Sequence, residues 1–185
     1  MPNYRRWRQQ GGCFFLTVVT YGREPIFADS AARALLHDAL AQVGRDRPWR
    51  IDAMVLLPDH WHALWRMPEG DTDYSTRLGR VKKVFTDGWL ARGGREAEVT
   101  AGQARARRRG VWQKRFMEHT IRDARDFKMH LDYIHVNPVK HGLARLPRDW
   151  PWSSFHRWVD LGEYEPDWCG RAELPGNVEY YWHDD

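Results

Sequence analysis

Cysteine is nearly absent: Cys13 and Cys169 are the two in 185 residues, far apart and with no histidine or cysteine at metal-ligand spacing beside them. A disulfide scaffold and a zinc ribbon are therefore excluded as organising devices, and a reducing compartment fits. Long apolar runs are missing as well. No stretch approaches the ~18 residues of a membrane span, and the opening Met1-Pro2-Asn3-Tyr4-Arg5-Arg6-Trp7 lacks the apolar stretch of a signal peptide. The expectation is a soluble, cytoplasmic protein. Internal repeats are lacking, and the one compositionally biased tract is rich in arginine.

Tryptophan is abundant instead, with eleven in the chain, more than packing a domain of this size requires. Apolar residues make up 42% and the formal net charge is +4. A basic chain rich in aromatic rings favours a polyanionic partner, with nucleic acid first. The length suits one domain with an appended tail.

Gly11-Gly12 marks a turn before Cys13-Phe14-Phe15-Leu16-Thr17-Val18-Val19-Thr20, a first strand. Asp29 or Ser30 caps a helix to Arg45, with Leu35, Leu36, Leu40 and Val43 at helical spacing. Residues 50–57 and 60–67 read as a hairpin bent at Pro58-Asp59. Leu78, Val81, Val84, Phe85 and Trp89 form the apolar stripe of a second helix over 75–89, flanked by Arg80, Lys82 and Lys83. Residues 91–110, with Arg105 to Arg109, read as a flexible basic loop. A fourth strand runs to Ile121. A last helix opens at Asp123, carries Phe127, Leu131 and Ile134 inward, and is expected to end at Asn137 because Pro138 follows. The order βαββαβα predicts an α+β, ferredoxin-like (split βαβ) antiparallel sheet with helices packed on it, over residues 1–146. Residues 147–185 form an aromatic C-terminal tail that wraps the domain, capping apolar surface rather than stacking on nucleic acid.

The chemistry centres on Pro58-Asp59-His60-Trp61-His62. Strand side chains alternate, so His60 and His62 share one face and Trp61, Ala63 and Trp65 the other. Two converging imidazoles suit a metal ion; a pair of histidines on a half-exposed strand is the plainer alternative. His119 either faces this site or is a satisfied core histidine. On the last helix, Tyr133 and Asn137 lie one turn apart and are expected to turn away from the apolar stripe. A tyrosine beside a His-x-His strand suggests a nucleophile aimed at a phosphodiester.

His60-Trp61-His62 and the run Tyr133-Ile134-His135-Val136-Asn137-Pro138-Val139-Lys140-His141-Gly142 resemble the REP-associated tyrosine transposases, relatives of the single-tyrosine HUH transposases. Tyr4-Arg5-Arg6, Lys82-Lys83-Val84-Phe85-Thr86, Phe116-Met117-Glu118-His119 and Trp150-Pro151-Trp152-Ser153-Ser154-Phe155-His156 extend the resemblance over nearly the whole chain. It implies a metal-dependent single-stranded DNA endonuclease and strand transferase acting beside REP hairpins, the repeated extragenic palindromes of bacterial genomes. Tyr133 would be the nucleophile, forming a 5′-phosphotyrosine. His60, His62 and Asn137 would hold Mg²⁺ or Mn²⁺, with asparagine standing where related transposases carry glutamine. Arg5, Arg6, Arg80, Lys82, Lys83, His119, Lys140 and His141 are the candidate DNA contacts. A monomer is expected over a homodimer. Two other classes compete: a non-catalytic ferredoxin-like module whose aromatics stack bases on the sheet, and a zinc hydrolase, for which no third strong ligand stands at close spacing.

Overall fold

The β-rich runs become β1 (Cys13–Val19), β2 (Arg50–Leu56), β3 (His60–Arg66) and β4 (Met117–Thr120), assembled as an antiparallel sheet of order β2-β3-β1-β4. That order is the one the ferredoxin-like reading requires. The helices are α1 (Ser30–Asp46), α2 (Tyr74–Ala91), α3 (Ala101–Arg105), α4 (Ala124–Lys140) and α5 (Phe155–Asp160). The computed structural model describes residues 11–105 and 109–170. Among these, no helix is long and apolar enough to cross a membrane. Cys13 is buried and Cys169 exposed, and both are free thiols.

Both faces of the sheet are covered, and its two central strands are buried on both sides. Phe14, Leu16 and Val18 of β1 and Trp61, Ala63 and Trp65 of β3 pack with Leu36, Ala39 and Val43 of α1 and Leu78, Val81 and Phe85 of α2. On the opposite face Phe15, Leu64, Ala53 and Val55 meet Leu131, Tyr133 and Ile134 of α4. No open sheet face is left among the described residues for bases to stack on, which removes the main support of the non-catalytic alternative. Asp29, Asp73 and Asp123 cap α1, α2 and α4, each carboxylate accepting a main-chain N–H of the first turn.

Three expectations change. Pro138 does not end α4, which runs on to Lys140. Proline forfeits only its own N–H bond, and the helix closes later, where Leu143 N–H reaches Pro138 O at 2.8 Å and Gly142 N–H reaches Val139 O at 3.0 Å. This termination needs a left-handed residue, and Gly142 supplies it at φ 68°. The basic loop is partly organised: Ala101–Arg105 is helical, and Arg109 clasps Glu96 with two hydrogen bonds of 2.6 and 2.8 Å. The tail, read as poor in helical period, contains α5 and buries Phe155 and Tyr164 against α4, as a capping tail should. Its residues beyond 170 lie outside the described ones.

The tail also seals the free edge of β2. Leu56 N–H donates to Trp152 O at 2.9 Å, Ser154 N–H to Met54 O at 2.8 Å, and Trp150 Nε1–H to Leu56 O at 2.9 Å. Ser154 Oγ joins Met54 N–H, at 3.0 Å, to His135 Nε2, at 2.9 Å. Burial, aided by the charges of Lys128 and Arg157, pushes the His135 pKa from 6.5 down to about 3. The folded state thus holds this ring neutral while the unfolded chain protonates it near 6.5. The associated stability is complete above pH 6.5 and is lost as pH falls from there toward 3, by about 1.4 kcal/mol per pH unit. Urea midpoints measured at pH 7.5 and 5.0 should show this fall, and His135→Gln should reduce it.

Candidate active site

Strand alternation places His60 and His62 on the α4 side of β3, with ring centroids 5.0 Å apart and planes nearly perpendicular. Trp61 anchors the strand from the other core, as expected. Each imidazole is oriented by a neighbour through Nδ1: His60 by Asp59 Oδ1 at 2.6 Å, and His62 by Thr17 Oγ1 at 2.7 Å, its cross-strand partner on β1. Asp59 is held in turn by Arg23 Nη1 at 2.9 Å. Burial opposes ionisation of Asp59, but the hydrogen bonds and charges of His60 and Arg23 outweigh it and hold the carboxyl down to about 2. With Nδ1 engaged by that carboxylate, Nε2 is the ring nitrogen of His60 left for a ligand. Burial, reinforced by the charges of His60, His141, Lys140 and Arg23, depresses the His62 pKa well below its usual value. Its ring is neutral, the form that ligates metal.

Helix α4 brings Tyr133 over this pair. The tyrosine ring centroid lies 5.1 Å from that of His62 and 5.9 Å from Phe15, and the residue is 2% exposed. The expected turn away from the core is thus corrected: α4 is buried on two adjoining faces. Leu131 and Ile134 pack with β2 and the tail, while Tyr133 packs with β1 and β3. One turn on, Asn137 is 0% exposed and neither its Oδ1 nor its Nδ2 has a hydrogen-bond partner. A buried primary amide without partners is costly, on the order of 1–3 kcal/mol per group. A ligand at this amide would relieve that cost. Two oriented imidazoles and this amide oxygen fit a divalent cation, so His60, His62 and Asn137 are the residues that would hold one.

The glycine-terminated end of α4 completes the surroundings. Lys140 Nζ lies 5.4 Å from the Tyr133 ring centroid, and the His141 ring stands 5.2 Å from that of His60. Both residues are exposed, and Lys140 gives the rim beside the buried pair a positive charge, while burial lowers the His141 pKa.

A second group lies beyond Phe15, whose ring contacts His62 on one side and His130 on the other. His119 of β4 and Asp126 and His130 of α4 offer ligand atoms within 4.8 Å of one another, so they too form a candidate metal site. Their atoms also serve one another. His119 Nε2 lies 2.8 Å from Asp126 Oδ2, which receives the main-chain N–H and Nε–H of Arg122 at 3.0 Å each. His130 Nδ1–H donates to Asp126 O at 2.8 Å. Burial resists ionisation of Asp126, yet hydrogen bonds from His119 and Arg122 keep its carboxyl at about 2.

Other predicted contacts are not gathered here. Arg80, Lys82 and Lys83 ride on α2, in the opposite layer of the sheet. Lys82 Nζ donates to Gln113 O at 2.7 Å, and its pKa is lowered to about 8 by burial; Lys83 pairs with Asp87 at 2.6 Å. Lys82 and Lys83 line a separate open cavity of 910 Å³ between α2 and the basic segment. Arg5 and Arg6 lie outside the described residues. Thr17, Arg23 and Asp126 escaped the sequence reading, because each acts across strands or helices with no local signature.

Over 170 residues the chain is 41% identical to the REP-associated tyrosine transposase of Escherichia coli (strain K12), covering 92% of each. The chain belongs to the REP-associated tyrosine transposases. This enzyme family includes a Haemophilus influenzae (strain ATCC 51907 / DSM 11121 / KW20 / Rd) relative 39% identical over 174 residues, spanning 94% of this chain and 97% of that one. A solved structure of a REP-associated tyrosine transposase bound to a REP hairpin matches with a TM-score of 0.78, at 40% identity over 94% of both chains. No protein-family model matches the chain.

In this transposase Asp126 fastens the start of α4 to β4. Asp126→Ala should lower stability by about 2 kcal/mol, because it strips a buried acceptor from His119 and Arg122. Arg122→Ala, at the exposed end, should cost clearly less than that. Urea denaturation of the two variants checks the ordering.

Proposed function

We propose that this transposase cleaves and rejoins single-stranded DNA beside REP-type hairpins, with Tyr133 as nucleophile. The observation that carries the reading is the placement of the Tyr133 ring 5.1 Å from that of His62, with the unpartnered amide of Asn137 one turn away. Tyr133 Oη attacks phosphorus and gives up its proton. The bond to the 3′ oxygen breaks, and that oxygen takes up a proton, leaving a 5′-phosphotyrosine and a free 3′-hydroxyl. The new ester keeps the energy of the phosphodiester, so rejoining needs no nucleotide cofactor. Lys140, beside the tyrosine ring, places a positive charge that draws in the DNA backbone.

Mg²⁺ or Mn²⁺ held by His60, His62 and Asn137 would neutralise charge on the nonbridging phosphate oxygens. Asp59 and Thr17 act behind the imidazoles, fixing which nitrogen faces the ion. Nucleophile and histidines come from one chain, which supports a monomer. Residues 1–146 are assigned as the catalytic domain and 147–185 as its tail, working in the cytoplasm where the DNA is.

Incubating the protein and Mn²⁺ with a library of hairpins bearing single-stranded flanks should give a covalent adduct on denaturing gels. Tyr133→Phe should abolish it; absence of any adduct with the wild type would sink the reading. Millimolar Mn²⁺ should also raise the melting temperature of the wild type, since a ligand bound only by the folded state stabilises it. Asn137→Ala should diminish that rise, and the paired change His60→Ala with His62→Ala should remove it.

A further inference from the structure

Among the described residues, Trp152 is the one tryptophan that stands exposed, at 40%. Its neighbour Trp150 is half-buried, and the edge of one ring meets the face of the other at 4.8 Å. Arg33 of α1 lies over the Trp152 ring, with Cζ 4.1 Å from the centroid. The guanidinium is itself fixed, because Nη1 donates to Phe27 O and Ala28 O at 2.8 Å each. The tryptophan backbone is fixed too, through Leu56 N–H on its carbonyl and the bridge between Val55 and Ser153. An aromatic ring held this rigidly at the surface loses little freedom on binding another ring.

Its location ties it to the active site. Phe27 N–H donates to Pro58 O at 2.8 Å, so the loop that holds Arg33 is bonded to the turn that delivers His60. Residue 152 lies beside Leu56, and Leu56 pairs with Trp61 across β2 and β3. Two strand spacings, about 10 Å, therefore separate Trp152 from the start of β3. That spacing is between main chains: Tyr133 lies on the α4 side and Arg33 on α1, so a flanking strand would round the β2 edge to reach the ring.

We propose that Trp152, capped by Arg33, is a base-stacking platform for a single-stranded nucleotide flanking the phosphate that Tyr133 attacks. The chemistry suits a nucleotide on both counts: the part of the indole left exposed beside Arg33 and Trp150 can meet a base, and the guanidinium offers N–H donors to the attached phosphate. Stacking of this kind tolerates sequence, so the platform holds the strand in place without reading it. The inference rests on the DNA-cleaving function above, and assigns the exposed part of the tail a direct role beside its capping role.

The test uses fluorescence anisotropy with two oligonucleotides: a hairpin with single-stranded flanks on both sides, and the same hairpin with those flanks made abasic. The abasic probe keeps every phosphate and loses only the rings. Trp152→Ala should weaken binding to the first probe by about tenfold and leave the second unchanged, while Trp152→Phe retains most of the affinity. Arg33→Gln should weaken both. Melting curves of the variants confirm that each is folded. Equal affinity of Trp152→Ala and wild type for the first probe, or an equal loss on both probes, overturns the inference. Adduct formation is scored separately: an adduct with no effect of Trp152→Ala sinks the platform alone, whereas the selective loss without any adduct keeps the platform and removes the catalytic reading.

Discussion

One strand, β3, supplies both halves of this molecule, and its two-residue period is the constraint on which the rest depends. Trp61 and Trp65 enter the core under α1 and α2, while His60, His62 and Leu64 enter the one under α4. A slip of one residue in register would send indoles to the catalytic side and imidazoles into the larger apolar core. Full burial on both faces makes such a slip prohibitive, so the packing that stabilises the sheet also positions the histidines. The site inherits its placement from the hydrophobic core, and Thr17 and Asp59 then fix the imidazole rings.

Holding imidazoles and an amide in the interior runs against stability, and the structure shows how the cost is limited. Thr17 and Asp59 each satisfy one ring nitrogen of the pair, and Arg23 neutralises Asp59. The amide of Asn137 receives no such compensation. At this site the unfavourable burial falls on an amide that a ligand could relieve. The Asp126 cluster fastens β4 to the start of α4, and it too leaves Asp126 Oδ1 and His130 Nε2 without a hydrogen-bond partner.

Much of this was legible in the sequence because it is local and periodic. The alternation of His60, Trp61 and His62 gave the faces of β3, and the order of apolar runs gave the sheet topology. The Tyr133-to-Gly142 run pointed to the family before any distance was known. Long-range features were not legible. The facing of Tyr133 was misjudged because α4 has two buried faces, a property set by what the tail and sheet place around it. On the flank of α2, sequence cannot tell that Lys82 turns toward Gln113 while Arg80 and Lys83 stand exposed. Pro138 read as a stop, whereas the helix ends on Gly142, and that end is what sets His141 against His60.

The strip of tail bonded along β2 has a consequence for assembly. An uncovered outer strand invites a second chain to add its own strand there, extending the sheet from one molecule into the next. Here residues 152–154 already take up the outward main-chain groups of Met54 and Leu56, and Trp150 adds an indole cap. That margin cannot serve as a template for intermolecular pairing while the tail stays in place. The segment thereby guards solubility, and shortening the chain before residue 150 would expose both an apolar helix face and an adhesive strand.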